Sequence, residues 1–204
     1  MIVVLAAVVG YLAGSMPFGY WLVRLARGVD IRSVGSGNIG ATNVWRTYGR
    51  GLGVPVVLLD TAKGFVPALV FTLTHSHLAG VAAGAAAMAG HWRPLFLGFA
   101  RGGKMVATAG GAFLGLAPLV GGAAAAIWIV LFLATRYASV ASIVAALALA
   151  PLAAALGYPW PVIAFGALAG AGVAFLHRAN IGRLHAGTES RFQLWRRSPR
   201  VEAS

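Results

Sequence analysis

The chain has 204 residues, 59 % of them hydrophobic, with a mean hydropathy of +0.82, which excludes an ordinary soluble domain and implies an integral membrane protein. Sixteen Lys and Arg against four acids give a net charge of +12, yet the basic residues lie in short pieces between apolar runs. That pattern suits anionic lipid headgroups and a topogenic bias and argues against nucleic acid; with no cysteine, disulfides and thiolate metal sites are excluded too.

The first apolar run, Ile2 to Leu25, has no basic segment ahead of it and reads as a retained span, interrupted at Gly14-Ser-Met-Pro17 where proline removes a donor. Arg24 to Arg50 holds five arginines against Asp30 alone, which places it in the cytoplasm and the N-terminus outside. Gly51 to Thr74 is the second span, His75-Ser-His77 its uncharged turn, and Leu78 to about Gly98 the third, returning to Arg101-Gly-Gly-Lys104. Met105 to Thr135 carries no charge. As one helix it would stretch roughly 46 Å, more than a ~30 Å hydrocarbon core needs. Lys104 and Arg136 fall on one side only if the segment crosses twice, and Pro118 with Gly121-Gly122 offers the break. Ala138 to Leu156 and Pro161 to Leu176 complete the set, and the basic tail from His177 is cytoplasmic. The expectation is an all-α membrane protein of seven transmembrane helices, N-terminus extracellular and C-terminus cytoplasmic. It forms a single domain over residues 1–191, with a basic tail over 192–204.

Four polar clusters then meet at the cytoplasmic face: Gly35 to Arg46, His91 to Thr108, Arg136 to Ser142, and His177 to Glu189. In the first, Gly35, Gly37 and Gly40 allow tight turns that present backbone N–H groups. Ser36, Asn38, Thr42 and Asn43 add short side-chain donors, and Arg46 adds a fixed positive charge. Gly102-Gly103-Lys104, opening an apolar helix, repeats that phosphate-binding logic without the spacing of a nucleotide P-loop. Such loops also serve as plain connectors, and the residues alone leave both readings open.

Asp60 and Lys63, at i and i+3 in the second span, can pair, as their cost in a membrane demands. Ser139 with Ser142, and His177 with Asn180, share the same spacing. Back-bonded helical serines and a histidine set by the helix end are the plain alternatives. His75 and His77 have no carboxylate beside them to complete a metal site, and neither metal nor cofactor is expected.

Taken together the clusters resemble the bacterial acyl-phosphate-dependent glycerol-3-phosphate acyltransferases of the PlsY type. The resemblance runs through Gly14-Ser-Met-Pro-Phe-Gly19, Asp30 to Asn43 with Arg46, Asp60-Thr-Ala-Lys-Gly64, Gly90-His-Trp-Arg-Pro to Gly102-Gly-Lys104, Arg136-Tyr137 to Ser142, and His177-Arg-Ala-Asn180 to Glu189. Met105 departs from it, since the family commonly has glycine there.

The resemblance implies transfer of a fatty acyl group from acyl phosphate to the 1-hydroxyl of glycerol 3-phosphate, giving lysophosphatidate and phosphate at the bacterial inner membrane. It places glycerol 3-phosphate against Arg46, Lys104, Ser142, His177 and Asn180, and the acyl-phosphate headgroup on Ser36 to Asn43, with Gly102, Gly103 and Ser139 completing the binding set. His177, Asn180, Lys104, Arg46 and Ser36 form the implied catalytic set, while Asp60, Lys63 and Glu189 are structural. The proton acceptor is either His177 or the substrate phosphate, and a covalent Ser36 intermediate lacks an assigned base. The substrates and the lipid bilayer are the expected partners, and a monomer suffices. A membrane transporter or channel for a small phosphate-bearing anion is the rival class. It would put polar or broken helices near the midplane, where this chain has only Asp60 and Lys63.

Overall fold

The computed structural model describes residues 1–193 and is all-helical among them. The α-helices are α1 (Ile2–Gly14), α2 (Phe18–Arg27), α3 (Ala41–Tyr48), α4 (Arg50–Thr74), α5 (His77–Trp92), α6 (Val106–Leu116), α7 (Pro118–Thr135), α8 (Ala138–Leu147), α9 (Leu149–Ala155), α10 (Trp160–Leu176) and α11 (Arg178–His185). Four helical stretches are long and apolar enough to cross a membrane: Ile2–Arg27, Arg50–Thr74, Pro118–Thr135 and Ala138–Ala155. A fifth is added if α10 and α11, bent by 58°, count together. Among the described residues this count falls short of the seven expected spans, whose other two would be the shorter α5 and α6. With 16 and 11 residues, α5 and α6 reach only about 24 and 17 Å at the usual helical rise.

The expected boundaries shift where prolines and left-handed residues intervene. The first run breaks into α1 and α2 at Ser15–Pro17. The third span stops at Trp92 instead of near Gly98, because Arg93 leaves the helical region ahead of Pro94, and Leu95–Leu97 forms a 3-10 turn. The charge-free segment divides at Ala117, with Pro118 taking the first turn of α7, where its missing N–H is harmless.

Lipid offers no hydrophobic drive to hold apolar helices together, so close packing must do it. Gly10 and Gly14 of α1 lie against the backbone of Ala83 and Ala87 in α5, and Gly64 of α4 against that of Thr108 in α6. A Cβ at any of these would collide with main chain. The central core gathers Phe113, Leu116, Val120, Leu149, Val162, Phe165 and Val173, with the rings of Phe113 and Phe165 stacked at 5.0 Å. Leu73, Leu133 and Leu168 are exposed, facing outward as lipid-contacting side chains should.

Candidate active site

All four polar clusters contribute to one cavity of about 570 Å³. Its polar mouth is lined by Ser36, Asn38, Gly40, Thr42, Asn43, Arg46, Lys104, Ser139, Ser142, His177, Asn180 and Glu189. Its apolar part runs between α6, α7 and α8, past Gly110, Leu114, Ala124, Ala125, Ala145, Ala146 and Leu149. Gly35, Gly37, Gly102, Gly103 and Lys63 do not line it, and the N–H groups of Gly102 and Gly103, expected as phosphate donors, are taken by carbonyls of α5.

The loop before α3 is held from within. Gly35 and Gly37 take left-handed φ angles of 61° and 68°. Asn43, only 5 % exposed, accepts from the Ser36 N–H at 2.9 Å and donates to the carbonyls of Val34 at 3.0 Å and Asn38 at 2.9 Å. Asn38 Oδ1 accepts from the Gly40 N–H at 2.8 Å. The Asn43 side chain, expected as a donor to ligand, therefore makes its bonds inside the loop and serves as its brace.

The Gly102–Lys104 loop is held by α5. The N–H groups of Gly102 and Gly103 donate to the carbonyls of Trp92 and His91 at 2.9 and 3.0 Å, and the His91 ring fills the space where a Gly103 Cβ would lie. Beneath it, Lys63 Nζ is 2.7 Å from Asp60 Oδ1 and donates to the Met16 carbonyl at 2.8 Å, with His91 Nδ1 3.7 Å from Asp60. Met105 adopts φ 66°, so it occupies the left-handed conformation that glycine takes most readily.

From Lys104 a polar chain crosses to the end of the protein. Lys104 Nζ donates to Asn180 Oδ1 at 2.6 Å, and Asn180 Nδ2 donates to Glu189 Oε1 at 2.7 Å. Ser139 Oγ donates to the same carboxylate oxygen at 2.8 Å, and Arg183 Nε pairs with Oε2 at 2.7 Å. Burial pushes the Glu189 carboxyl up, but these hydrogen bonds outweigh it and hold the group below its usual range. Lys104 is brought down to about 8, first by burial and then by the cations of Arg183, Arg101 and Arg46, against the pull of Glu189.

His177 lies where α10 gives way to α11. Its Nδ1 is 2.8 Å from the Val173 carbonyl, which can only accept, so Nδ1 carries the proton and Nε2 the lone pair. Burial and the Lys104 cation lower its pKa to about 4, which makes the ring neutral near pH 7. Ser142 Oγ donates to the Ala138 carbonyl at 2.7 Å and accepts from Trp128 Nε1 at 3.0 Å.

Several lining residues gave no sign in the sequence. Trp45, Trp128 and Phe132 read as ordinary span or loop aromatics, while Phe192 falls in the expected tail. Phe192 is buried in the cavity wall, and the rest of the tail, residues 194–204, lies outside the described residues. Asp60, expected to be structural, also reaches the cavity, as does His91. Chemically, the site offers the cations of Lys104 and Arg46, with Arg183 paired to Glu189, and a lone-pair nitrogen beside an apolar slot, which suits an amphiphile with an anionic head.

The family described as glycerol-3-phosphate acyltransferase matches residues 4–187. A glycerol-3-phosphate acyltransferase of Desulforudis audaxviator is 47 % identical over 191 residues, covering 93 % of this chain and 96 % of the relative. One of Roseiflexus sp. is 50 % identical over 190 residues, covering 90 % and 92 %. The crystal structure of PlsY (YgiH), an integral membrane glycerol 3-phosphate acyltransferase, in its glycerol 3-phosphate form is similar with a TM-score of 0.88. Its identity is 41 %, over 94 % of this chain and 96 % of that one. The lysophosphatidic acid form of PlsY aligns at 0.86 and 39 % identity, with the same coverage.

Proposed function

Because the chain belongs to the PlsY family of integral membrane glycerol-3-phosphate acyltransferases, enzymes of phospholipid synthesis, we propose that its acyl donor is an acyl phosphate and its product 1-acyl-glycerol 3-phosphate. The observation that carries this is the single cavity in which cationic and backbone donors adjoin an apolar slot. A water-soluble phosphate ester and a chain dissolved in the bilayer have to meet at just such a boundary.

Glycerol 3-phosphate sits against Arg46, Lys104, Ser142, His177 and Asn180, and the donor headgroup on Ser36 to Asn43. The 1-hydroxyl attacks the acyl carbonyl, forming a C–O bond as the carbonyl–phosphate C–O bond breaks. Negative charge grows on the carbonyl oxygen and the departing phosphate, where Lys104 and Arg46 stabilise it. Burial and the Lys104 cation keep the His177 ring neutral, with Nδ1–H bonded to the Val173 carbonyl and Nε2 left as the acceptor. His177 Nε2 accepts the hydroxyl's hydrogen bond and orients it, and the proton ends on the departing phosphate. Glu189 holds Asn180 and Ser139 in place. Seven crossings, with the cavity at the cytoplasmic face of the bacterial inner membrane, follow from the positive-inside pattern, and one copy of the chain supplies every named group.

Product formation tests the reading. Purified protein is offered glycerol 3-phosphate with palmitoyl phosphate or with palmitoyl-CoA. Lysophosphatidate and phosphate should arise from the first alone, falling about 10²–10³-fold or more in Lys104→Ala and His177→Ala. Equal use of palmitoyl-CoA would sink the donor assignment.

A further inference from the structure

Residues 188–193 lie beyond the matched segment 4–187, yet they form a strap along the cavity. Several tethers hold it, among them an Arg191 Nε bond to the Tyr137 hydroxyl at 3.1 Å. Glu189 takes hydrogen bonds from Ser139, Asn180 and Arg183, Arg46 Nη2 donates to the Ser190 carbonyl at 2.9 Å, and the Phe192 N–H donates to the Arg136 carbonyl at 2.7 Å. Phe192 is 6 % exposed and lines the cavity. Its ring meets those of Trp45 at 5.7 Å and Phe132 at 5.3 Å, both edge-on, and the Arg46 guanidinium lies 5.6 Å from its centroid. Phe132 in turn stacks on Trp128 at 4.8 Å, and Trp128 reaches Ser142. An unbroken aromatic wall thus joins Arg46, at the anionic end, to Ser142, where α8 begins its descent into the apolar slot.

A ring at that junction offers water almost no hydrogen bonding, and a polar strap residue there would admit it. With the donor headgroup on Ser36 to Asn43 and its chain in the apolar slot, the carbonyl comes at the junction between them, and its anhydride bond is open to water as well as to the alcohol. We propose that Phe192 is a positioning residue that seals this junction against water, so that the acyl group passes to glycerol 3-phosphate and not to water. The inference rests on the acyl-phosphate reading. In the productive reaction the alcohol oxygen bonds to the carbonyl carbon and hydrogen phosphate leaves with the alcohol's proton. In the side reaction water supplies the oxygen, and carboxylate, hydrogen phosphate and one proton result.

The test is the palmitate-to-lysophosphatidate ratio from palmitoyl phosphate and glycerol 3-phosphate, corrected for protein-free hydrolysis, in the parent protein and in Phe192→Ala, Phe192→Leu and Phe192→Trp. The ratio is expected to rise about 10-fold in Phe192→Ala, less in Phe192→Leu, and to stay near the parent value in Phe192→Trp, which keeps an aromatic barrier. An unchanged ratio in both the alanine and leucine variants, whether or not total turnover falls, would overturn the proposal and leave the ring a packing role only. A parent protein that makes lysophosphatidate from palmitoyl-CoA but not from palmitoyl phosphate would overturn the donor reading and this inference with it, and that failure is visible before any variant is made.

Discussion

Two glycine-rich loops bring donors to the same cavity, and they are built on opposite plans. The loop before α3 braces itself, since Asn43 ties three backbone groups within nine positions of its own side chain. The Gly102–Lys104 loop takes its shape from the end of α5, and α5 there rests on a buried cluster drawn from α4 and the α1–α2 break. The first geometry is local. The second depends on the whole helical bundle, so the two loops should fail differently when their supports are removed.

The largest effect should come from breaking the second plan at its base. Asp60→Ala leaves Lys63 buried without its counter-charge, and a loss of about 3–5 kcal/mol is expected by thermal unfolding in detergent, with the double change Asp60→Leu and Lys63→Met recovering most of it. Gly103→Ala strikes where the loop meets that base. Its Cβ would displace the buried His91 ring and shift Lys104, with an expected loss of about 100-fold in kcat/KM, or ~2.7 kcal/mol, and a smaller fall in Tm than Asp60→Ala. On the first plan, Asn43→Ala leaves the Ser36 N–H and the Asn38 carbonyl without a partner, while the Val34 carbonyl keeps the Gly37 N–H, for an expected ~2 kcal/mol of stability.

The smallest effect sharpens the contrast without any substitution. Lys104 is protonated below its pKa of about 8 and loses its charge above it, so kcat/KM for glycerol 3-phosphate should fall by up to about tenfold per pH unit on the alkaline side. Lys104→Arg should move that limb to higher pH. Backbone N–H groups do not titrate, so the KM for acyl phosphate should stay level over the same range. A parallel rise in both KM values would erase the distinction between the loops.

Much of this was legible because charge is scarce. With four acids and short basic pieces in an apolar chain, each polar cluster stood out, and the i, i+3 spacing of Asp60 with Lys63 foretold the pair that forms at 2.7 Å. Helix ends were harder to read. Leu95, Phe96 and Leu97 are as apolar as any span, yet Pro94 and the contacts of Trp92 and His91 with the following loop turn them out of α5. Met105 shows the reverse, a side chain where glycine is usual but still in the left-handed conformation, because its neighbours fix the backbone. Phe192 was illegible because one phenylalanine next to a basic tail has no periodicity. Only the docked strap gives it a place.

The strap also sets the order in which the protein becomes whole. Ser36 and Glu189 are separated by most of the chain, and a polypeptide made from its N-terminus has both glycine-rich loops long before it has the strap. A nascent chain that ends ahead of Glu189 carries the cations but lacks the carboxylate that aligns Asn180 and Ser139. Of the residues lining the cavity Phe192 is the last to be made, so translation past it supplies the final piece of that wall.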